Sequence, residues 1–332
     1  MRVLLIGGTM FIGKRLVARL LDAGHEITLF HRKAVHPFGP DVRSVVGDRN
    51  DAVSVRSALT GLHFDAVYDI AYDWERGTTG PQVEATAKAV PGDLSRYIFM
   101  SSVAAYGAGL NHDGLNHGED DPLAPDTDSN DYIRNKAMSE RALFRMHRES
   151  QFPAVTMRPP FVYGPENPFY REAFFWDRIR NDRPVIVPGD GKRLMQFVYV
   201  DDLVTACCNA LENPAAVGRA FNVACENAVT QTDLVGEFAR AAGKQASIVY
   251  VPREIIERNG GNVFRDPLYF GEYYDVHSIT ERVDRVQRVL GVKLTPFASG
   301  LRETYRWYAD RPALRSADFS FDAKLLREAA AA

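Results

Sequence analysis

The sequence is short of cysteine, has no long hydrophobic run and carries no excess of either charge. Its three cysteines are Cys207, Cys208 and Cys225; two are adjacent, the count is odd, and none has metal-ligand spacing. That excludes a disulfide scaffold and a cysteine-ligated metal, and it points to a reducing compartment. No stretch approaches the roughly 18 uncharged apolar residues of a membrane span. The first apolar run, residues 3–6, meets glycine at once, so it reads as a buried strand and not as a secretory signal. The cytoplasm is the expected location. Lys and Arg number 40 against 43 Asp and Glu, a formal charge of -3, which supplies no general attraction to nucleic acid or to an anionic membrane. There is no internal repeat.

What is present is an ordinary globular composition, 45% apolar and 25% charged. At 332 residues the chain suits one large domain with a smaller one. Short β-branched runs at residues 3–6, 26–30, 43–46, 66–70, 97–100 and 154–158 alternate with helical patterns, the signature of an α/β fold with a parallel sheet. Ile12, Leu16, Val17, Leu20 and Leu21 share one helical face, and Gly24 supplies a stop. From Pro165 the texture changes: Phe169, Phe174, Phe175 and Trp176 crowd one predicted helix. Residues 198–202 and 220–223 read as strands or strand ends returning to the first domain. The expected division is a doubly wound first domain over 1–164 with returning segments near 196–224. A mixed α/β substrate domain follows over 165–195 and 225–310, then a tail over 311–332.

Between the first strand and first helix lies Gly7-Gly8-Thr9-Met10-Phe11-Ile12-Gly13. A dinucleotide needs this arrangement: glycines for a tight turn, backbone N–H groups facing the pyrophosphate, and a helix N-terminus behind them. Met10 departs from the three-glycine pattern, so its side chain must point away or shift the cofactor. The second strand ends in Phe30-His31-Arg32-Lys33, without the carboxylate that would take the ribose 2′-OH of NAD. This favours NADP over NAD with Arg32 as the main phosphate contact, although a solvated basic turn fits the same residues. Gly47-Asp48-Arg49 follows the third strand, with Asp48 and Arg49 expected at the cofactor; Asp48 can accept from the adenine amino group or cap a helix. Ala71 and Tyr72 follow the fourth strand, where Tyr72 and Trp74 gate the nicotinamide side or merely pack.

Tyr132 and Lys136 lie four apart, so on a helix the phenol and ammonium face one way. A free tyrosine has a pKa near about 10. A neighbouring ammonium and a cationic nicotinamide are expected to pull it down by roughly 2–3, which would fit Tyr132 for proton transfer. The strand over residues 97–100 ends in Ser101 and Ser102, where ligands meet a parallel sheet. Ser102 is the expected holder of a substrate oxygen, and Ser101 a backbone satisfier. No Gly-x-Ser-x-Gly elbow surrounds either serine, which leaves no Ser-His-Asp alternative.

Together these motifs resemble the extended short-chain dehydrogenases, the NAD-dependent epimerase/dehydratase group. The resemblance spans about residues 1–308. It is carried by the glycine turn, Ser102 four before Tyr106-Gly107, Tyr132 with Lys136, Arg158-Pro159 with Val162-Tyr163-Gly164-Pro165, Phe197 through Asp202, and Phe221-Asn222-Val223. It implies a Rossmann domain, a small C-terminal substrate domain, a Ser102/Tyr132/Lys136 triad and hydride transfer at a carbinol, often of a nucleotide sugar. It also implies Pro159 at the cofactor, Tyr106, Phe161 and Asn167 at a small-molecule substrate, and a homodimer. Members that bind nucleotide sugars often carry an Arg where this chain has Met195; Arg193, two residues earlier, is the candidate substitute. Gly-Gly-Thr-Met-Phe-Ile-Gly is similar to the turn of an atypical branch that includes chloroplast stem-loop RNA-binding proteins, so a non-catalytic, cofactor-binding or RNA-binding protein is the rival reading. Against RNA, the stretch from 107 to 131 carries seven acids and no Lys or Arg and would repel a phosphate backbone. His112 and His117 in that stretch invite a metal, but its Gly, Asn and Pro content suits a solvated lid better. Phe264, Tyr269, Phe270, Tyr273 and Tyr274 line a substrate pocket near Arg265 or form satellite core.

Overall fold

A computed structural model describes residues 1–332 except Ala34, Asn111, residues 312–314 and Ala332. Seven parallel strands form its centre: β1 (Arg2–Ile6), β2 (Glu26–His31), β3 (Arg43–Val46), β4 (Ala66–Asp69), β5 (Arg96–Met100), β6 (Ala154–Arg158) and β7 (Arg219–Asn222). Their order across the sheet is β7-β6-β5-β4-β1-β2-β3. The apolar runs explain the burial: Val3 and Leu5 enter one core layer and Leu4 and Ile6 the other, as alternation in a doubly covered strand requires. The chain winds outward in both directions from β1, which leaves a crevice beside β1 and β4, where ligands meet such sheets. The helix Phe11–Asp22 buries Leu16, Val17 and Leu20 in the layer that holds Leu203 and Cys207 of the helix Val200–Glu212.

The smaller lobe is aromatic. Phe174, Phe175 and Trp176 on the helix Glu172–Arg180 meet Phe238, Tyr274 and Tyr308 in one cluster, and Phe175 stacks on Phe238 at 4.5 Å. A parallel pair of strands, Phe161–Tyr163 and Phe197–Tyr199, leads between the lobes. No helix among the described residues is long and apolar enough to cross a membrane.

Four expectations change. Strand structure near residue 198 ends at Tyr199, and Val200–Glu212 is helix; Asp201 and Asp202 sit in its first turn, where free N–H groups favour carboxylates. Phe169 precedes the helix it was expected to join. The tail over 311–332 contains the helix Ser320–Ala330, with Leu325 fully buried and Asp322 paired to buried Arg178 at 2.8 Å. Phe321, Leu325, Leu326 and Ala329 recur at helical spacing and pack on the aromatic core. The acidic stretch is no free lid: Gly114–His117 forms a strand beside Ile279–Glu281, Glu119 is buried, and His117 stacks on Tyr106 at 4.5 Å.

Candidate active site

The turn after β1 is built around absent side chains. Gly7 and Gly8 adopt φ of 106° and 96°, a region that favours glycine. A Cβ on Gly13 would lie 2.6 Å from the Gly8 Cα, backbone against backbone. Met10 caps the helix Phe11–Asp22 in extended conformation, with its side chain 64% exposed, so it leaves the turn intact. The Phe11 side chain is core; what Phe11, Ile12 and Gly13 can offer a ligand is first-turn N–H groups without helical partners. Open glycine backbone at a helix N-terminus, beside the sheet crevice, fits a dinucleotide pyrophosphate. Gly13→Ala is expected to cost about 1–3 kcal/mol through overpacking and to weaken dinucleotide binding. Urea denaturation with cofactor titration checks it; an unchanged midpoint and affinity would refute the close contact.

At the end of β2, His31 is buried and its Nε2 meets Ser44 Oγ at 2.6 Å, while Lys33 is exposed. Arg32 is 63% exposed and reaches Asp73 at 3.3 Å. Asp73 also takes Arg76 at 2.8 Å and the backbone N–H groups of Glu75 and Arg76. Burial alone would raise the Asp73 carboxyl, but the Arg76 and Glu75 hydrogen bonds outweigh it and hold the group below its ordinary value. Asp48 accepts from Arg76 at 2.7 Å. Arg49, expected at the cofactor, is a correction. It turns inward and pairs with Asp69, whose other carboxylate contact is the Tyr97 hydroxyl. A carboxylate buried at the end of β4 needs that counter-charge. Ala71 donates its N–H to Ile6 O and lies against Gly7. Pro159 is buried, and its carbonyl accepts from Val103 N.

Across the crevice the helix Asp131–Ser150 presents Tyr132, Lys136 and Glu140 at steps of four, on one face. Asn130 caps it, its side chain accepting from Tyr132 N and Ile133 N. Ser102 lies just beyond the end of β5; its hydroxyl accepts from Ala104 N at 3.2 Å and is close enough to act on the Tyr132 phenol. Ser101 instead donates to buried Glu140. Lys136 Nζ donates to Met100 O at 2.6 Å and lies 5.1 Å from the Tyr72 ring centre and 4.9 Å from that of Phe99. Tyr72 meets Tyr132 edge-on at 5.0 Å, and Trp74, 59% exposed, stacks on Tyr132 at 5.3 Å.

The lowering expected of the Tyr132 phenol does not come from the chain's own groups. Burial pushes the phenol up to about 12, with the Ser102 hydroxyl opposing, and burial pushes Lys136 down to about 8. One of the three ammonium N–H groups is held by the Met100 carbonyl, and among the chain's own groups desolvation outweighs charge at Tyr132.

On the substrate side, Tyr106 is occupied structurally: its hydroxyl donates to Asn222 and accepts from Arg158, both at 2.7 Å. Asn167 is likewise buried, its amide on the carboxylate of Glu172, which burial pushes up to about 7. Arg193 is paired to Asp275 at 3.0 Å together with Arg253. Phe161 is half-buried against the small-lobe core, and Arg265 stands exposed. Tyr269, Phe270 and Tyr274 are core, whereas Phe264 and Tyr273 face each other at the rim. Two features had no local signal. Arg171 lies over Phe169 at 4.4 Å, and Lys14 pairs with Glu166 at 2.8 Å across the mouth of the crevice. Arg76 could have been suspected from Asp73-Trp74-Glu75-Arg76, an aspartate-capped turn after a parallel strand.

Strand order, glycine turn and crevice define a Rossmann-type dinucleotide fold. The model of the NAD dependent epimerase/dehydratase family matches residues 3–224, and the chain belongs to that family. It is 31% identical to the Arabidopsis thaliana chloroplast stem-loop binding protein of 41 kDa b, over 98% of this chain and 84% of that protein. It is 24% identical to the A. thaliana trifunctional UDP-glucose 4,6-dehydratase/epimerase/reductase RHM3, over 75% of this chain but only 35% of that protein. Its fold is similar to that of the Bacillus anthracis dTDP-glucose 4,6-dehydratase in complex with NAD (TM-score 0.74, 18% identity, 95% of this chain and 98% of that one).

Proposed function

We propose that the chain is an NAD(P)-dependent oxidoreductase or epimerase acting at a hydroxyl/carbonyl centre, with Tyr132 as the proton-transfer group. The observation that carries this is the Tyr132 phenol packed between Trp74 and Tyr72 at the crevice beyond β5, with Lys136 one turn along the same helix and Ser102 at the strand end beside it. The glycine turn would hold the pyrophosphate and Ala71, Tyr72 and Lys136 the nicotinamide end of a dinucleotide, which would supply hydride exchange. Ser102 holds the substrate oxygen. Tyr132 gives that oxygen its proton on reduction and takes it on oxidation. With its phenol pushed up to about 12, Tyr132 carries its proton at neutral pH. The B. anthracis protein's named substrate and that of RHM3 are nucleotide sugars, and a sugar hydroxyl is compatible with this site. A diphosphate anchor at Arg193 is not favoured, since Asp275 holds that guanidinium. The direct test is substrate-dependent change of nicotinamide absorbance across a panel of carbonyl and hydroxyl compounds, with loss of a carbinol C–H stereocentre followed by NMR in parallel; neither hydride transfer nor epimer formation with any member would sink the reading.

We favour NADP. Asp73 keeps Arg76 and two backbone N–H groups when Arg32 leaves it, so a 2′-phosphate can take Arg32 without orphaning a carboxylate. The exposed Arg32–Asp73 pair itself contributes little. Arg32→Ala is expected to weaken NADPH roughly 10- to 100-fold, the loss of one charged hydrogen bond, with NADH nearly unchanged in fluorescence titrations. Equal weakening of both would refute the assignment.

A second reading, RNA binding without catalysis, draws on the relative named for stem-loop binding and on a cleft of about 550 Å³ at the β7 edge of the sheet. Arg148, Arg219, Arg285 and Arg288 line it with Glu119 and Asp120. RNA retained in a gel at moderate salt, with no hydride transfer, would favour that reading.

A further inference from the structure

We propose that Arg171 forms a carboxylate-binding subsite, and that the substrate is an apolar hydroxy or oxo acid whose reacting carbon lies at Tyr132. This rests on the catalytic reading of Tyr132 and adds to it the chemistry of the other end of the substrate.

Arg171 precedes the helix Glu172–Arg180. Its guanidinium carbon lies 4.4 Å from the ring centre of Phe169, 5.3 Å from Tyr273, 5.7 Å from Tyr274 and 5.9 Å from Phe161. Nε donates to Glu272 O at 3.1 Å, which fixes the plane of the group. The two terminal nitrogens have no hydrogen-bond partner among the described residues, and no carboxylate there comes within ion-pair distance. Glu172, the neighbouring acid, gives its oxygens to Asn167; Glu272 accepts from Tyr170 N. Other guanidiniums of this lobe are committed, Arg193 and Arg253 to Asp275 and Arg178 to Asp322. Arg171 is thus a half-buried cation, oriented by rings, with an open two-donor edge. That edge matches a carboxylate, which a planar fork binds through two parallel hydrogen bonds.

The surroundings join this cation to the chemistry. Its charge acts on the Tyr132 phenol, as does the Tyr273 hydroxyl. Trp74 spans the interval, stacked on Tyr132 at 5.3 Å and edge-on to Phe169 at 6.2 Å. Phe169 meets Tyr273 at 5.9 Å, and Tyr273 meets Phe264 at 5.2 Å. Trp74 and Phe264 are 59% and 49% exposed. A continuous aromatic wall with exposed ends suits an apolar body. A nucleotide diphosphate would ask for further cations, and the lysine nearest the glycine turn, Lys14, is taken by Glu166.

The test measures binding by calorimetry with NADPH present. The probes are 3-hydroxy-3-phenylpropanoate, 3-hydroxybutanoate and 3-hydroxyoctanoate, each against its methyl ester, and UDP-glucose. At least one acid is expected to bind roughly 10- to 100-fold more tightly than its ester, the worth of a charged hydrogen-bond pair. Arg171→Gln should erase that preference without weakening the ester, and Arg171→Lys should keep part of it. Acids and esters binding alike, a preference that survives Arg171→Gln, or UDP-glucose as the tightest probe would each overturn the subsite. An Arg171-dependent acid that is never oxidised or reduced leaves the subsite standing and defeats the catalytic reading. Hydride transfer that ignores Arg171 does the reverse.

Discussion

Tyr132→Phe is expected to lower kcat by roughly 10²–10⁴-fold, the contribution of one positioned acid–base group, while NADPH binding stays nearly intact. The substitution removes one oxygen from a ring held by Trp74 and Tyr72, so packing is kept. What disappears is the phenol hydroxyl beside Ser102, and with it the proton a reduced carbonyl needs. The pH profile should carry the same signature. Lys136, pushed down to about 8, carries its charge below that pH and loses it above, and its ammonium favours the phenolate left after proton donation. Reductive kcat should therefore be level through pH 6–7 and fall above about 8. Stability runs the other way. The folded protein releases the Lys136 proton more readily than the unfolded chain, so this group destabilises the fold below about 8 and the penalty fades as pH rises through that value. Turnover by Tyr132→Phe equal to that of the parent would remove Tyr132 from the chemistry.

Arg158→Met is expected to cost about 3–5 kcal/mol, the usual price of stranding one half of a buried ion pair, out of a total of roughly 5–15. Arg158 and Glu140 are 3% and 0% exposed and 2.7 Å apart. The same guanidinium donates to Tyr106 Oη and Glu119 O, and the same carboxylate accepts from Ser101 and Thr156. Removing the cation leaves Glu140 ionised in an apolar layer unless it binds a proton. A second variant, Arg158→Met with Glu140→Gln, should recover much of the loss, because no charge is then stranded. Urea denaturation of both variants decides it; a loss under about 1 kcal/mol in the single variant would contradict a buried, uncompensated charge. The effect should reach the active site, since Glu140 ties the face bearing Tyr132 and Lys136 to the end of β5 that presents Ser102.

The sheet was legible because its information is local. Residues 3–6 alternate into two core layers whatever follows them, and a Tyr–Lys spacing of four fixes a shared helical face. Arg171, Asp73 with Arg76, and Lys14 with Glu166 were hidden because each acquires meaning from a partner brought near by the fold; Lys14 and Glu166 are 152 residues apart. Arg49 was misread for the same reason: its position after β3 suggested the cofactor, but a buried Asp69 claims it. The helix Ser320–Ala330 had its apolar spacing in plain view, behind a polar lead-in that looked like a tail. At the Tyr132 phenol, spacing reports which charges are near, whereas the cost of losing water depends on Trp74 and Tyr72 closing over it.

The helix Ser320–Ala330 sets a condition on the order in which the molecule matures. Its Asp322 neutralises Arg178, and Leu325 seals the cluster around Trp176, so the small lobe stays unfinished on the ribosome until residue 330 has left the exit tunnel. The first six strands of the sheet are synthesised long before that, and domains generally fold as they emerge. A nascent chain stalled at about residue 310 would then pair a finished sheet with an open aromatic lobe, a natural client for a chaperone.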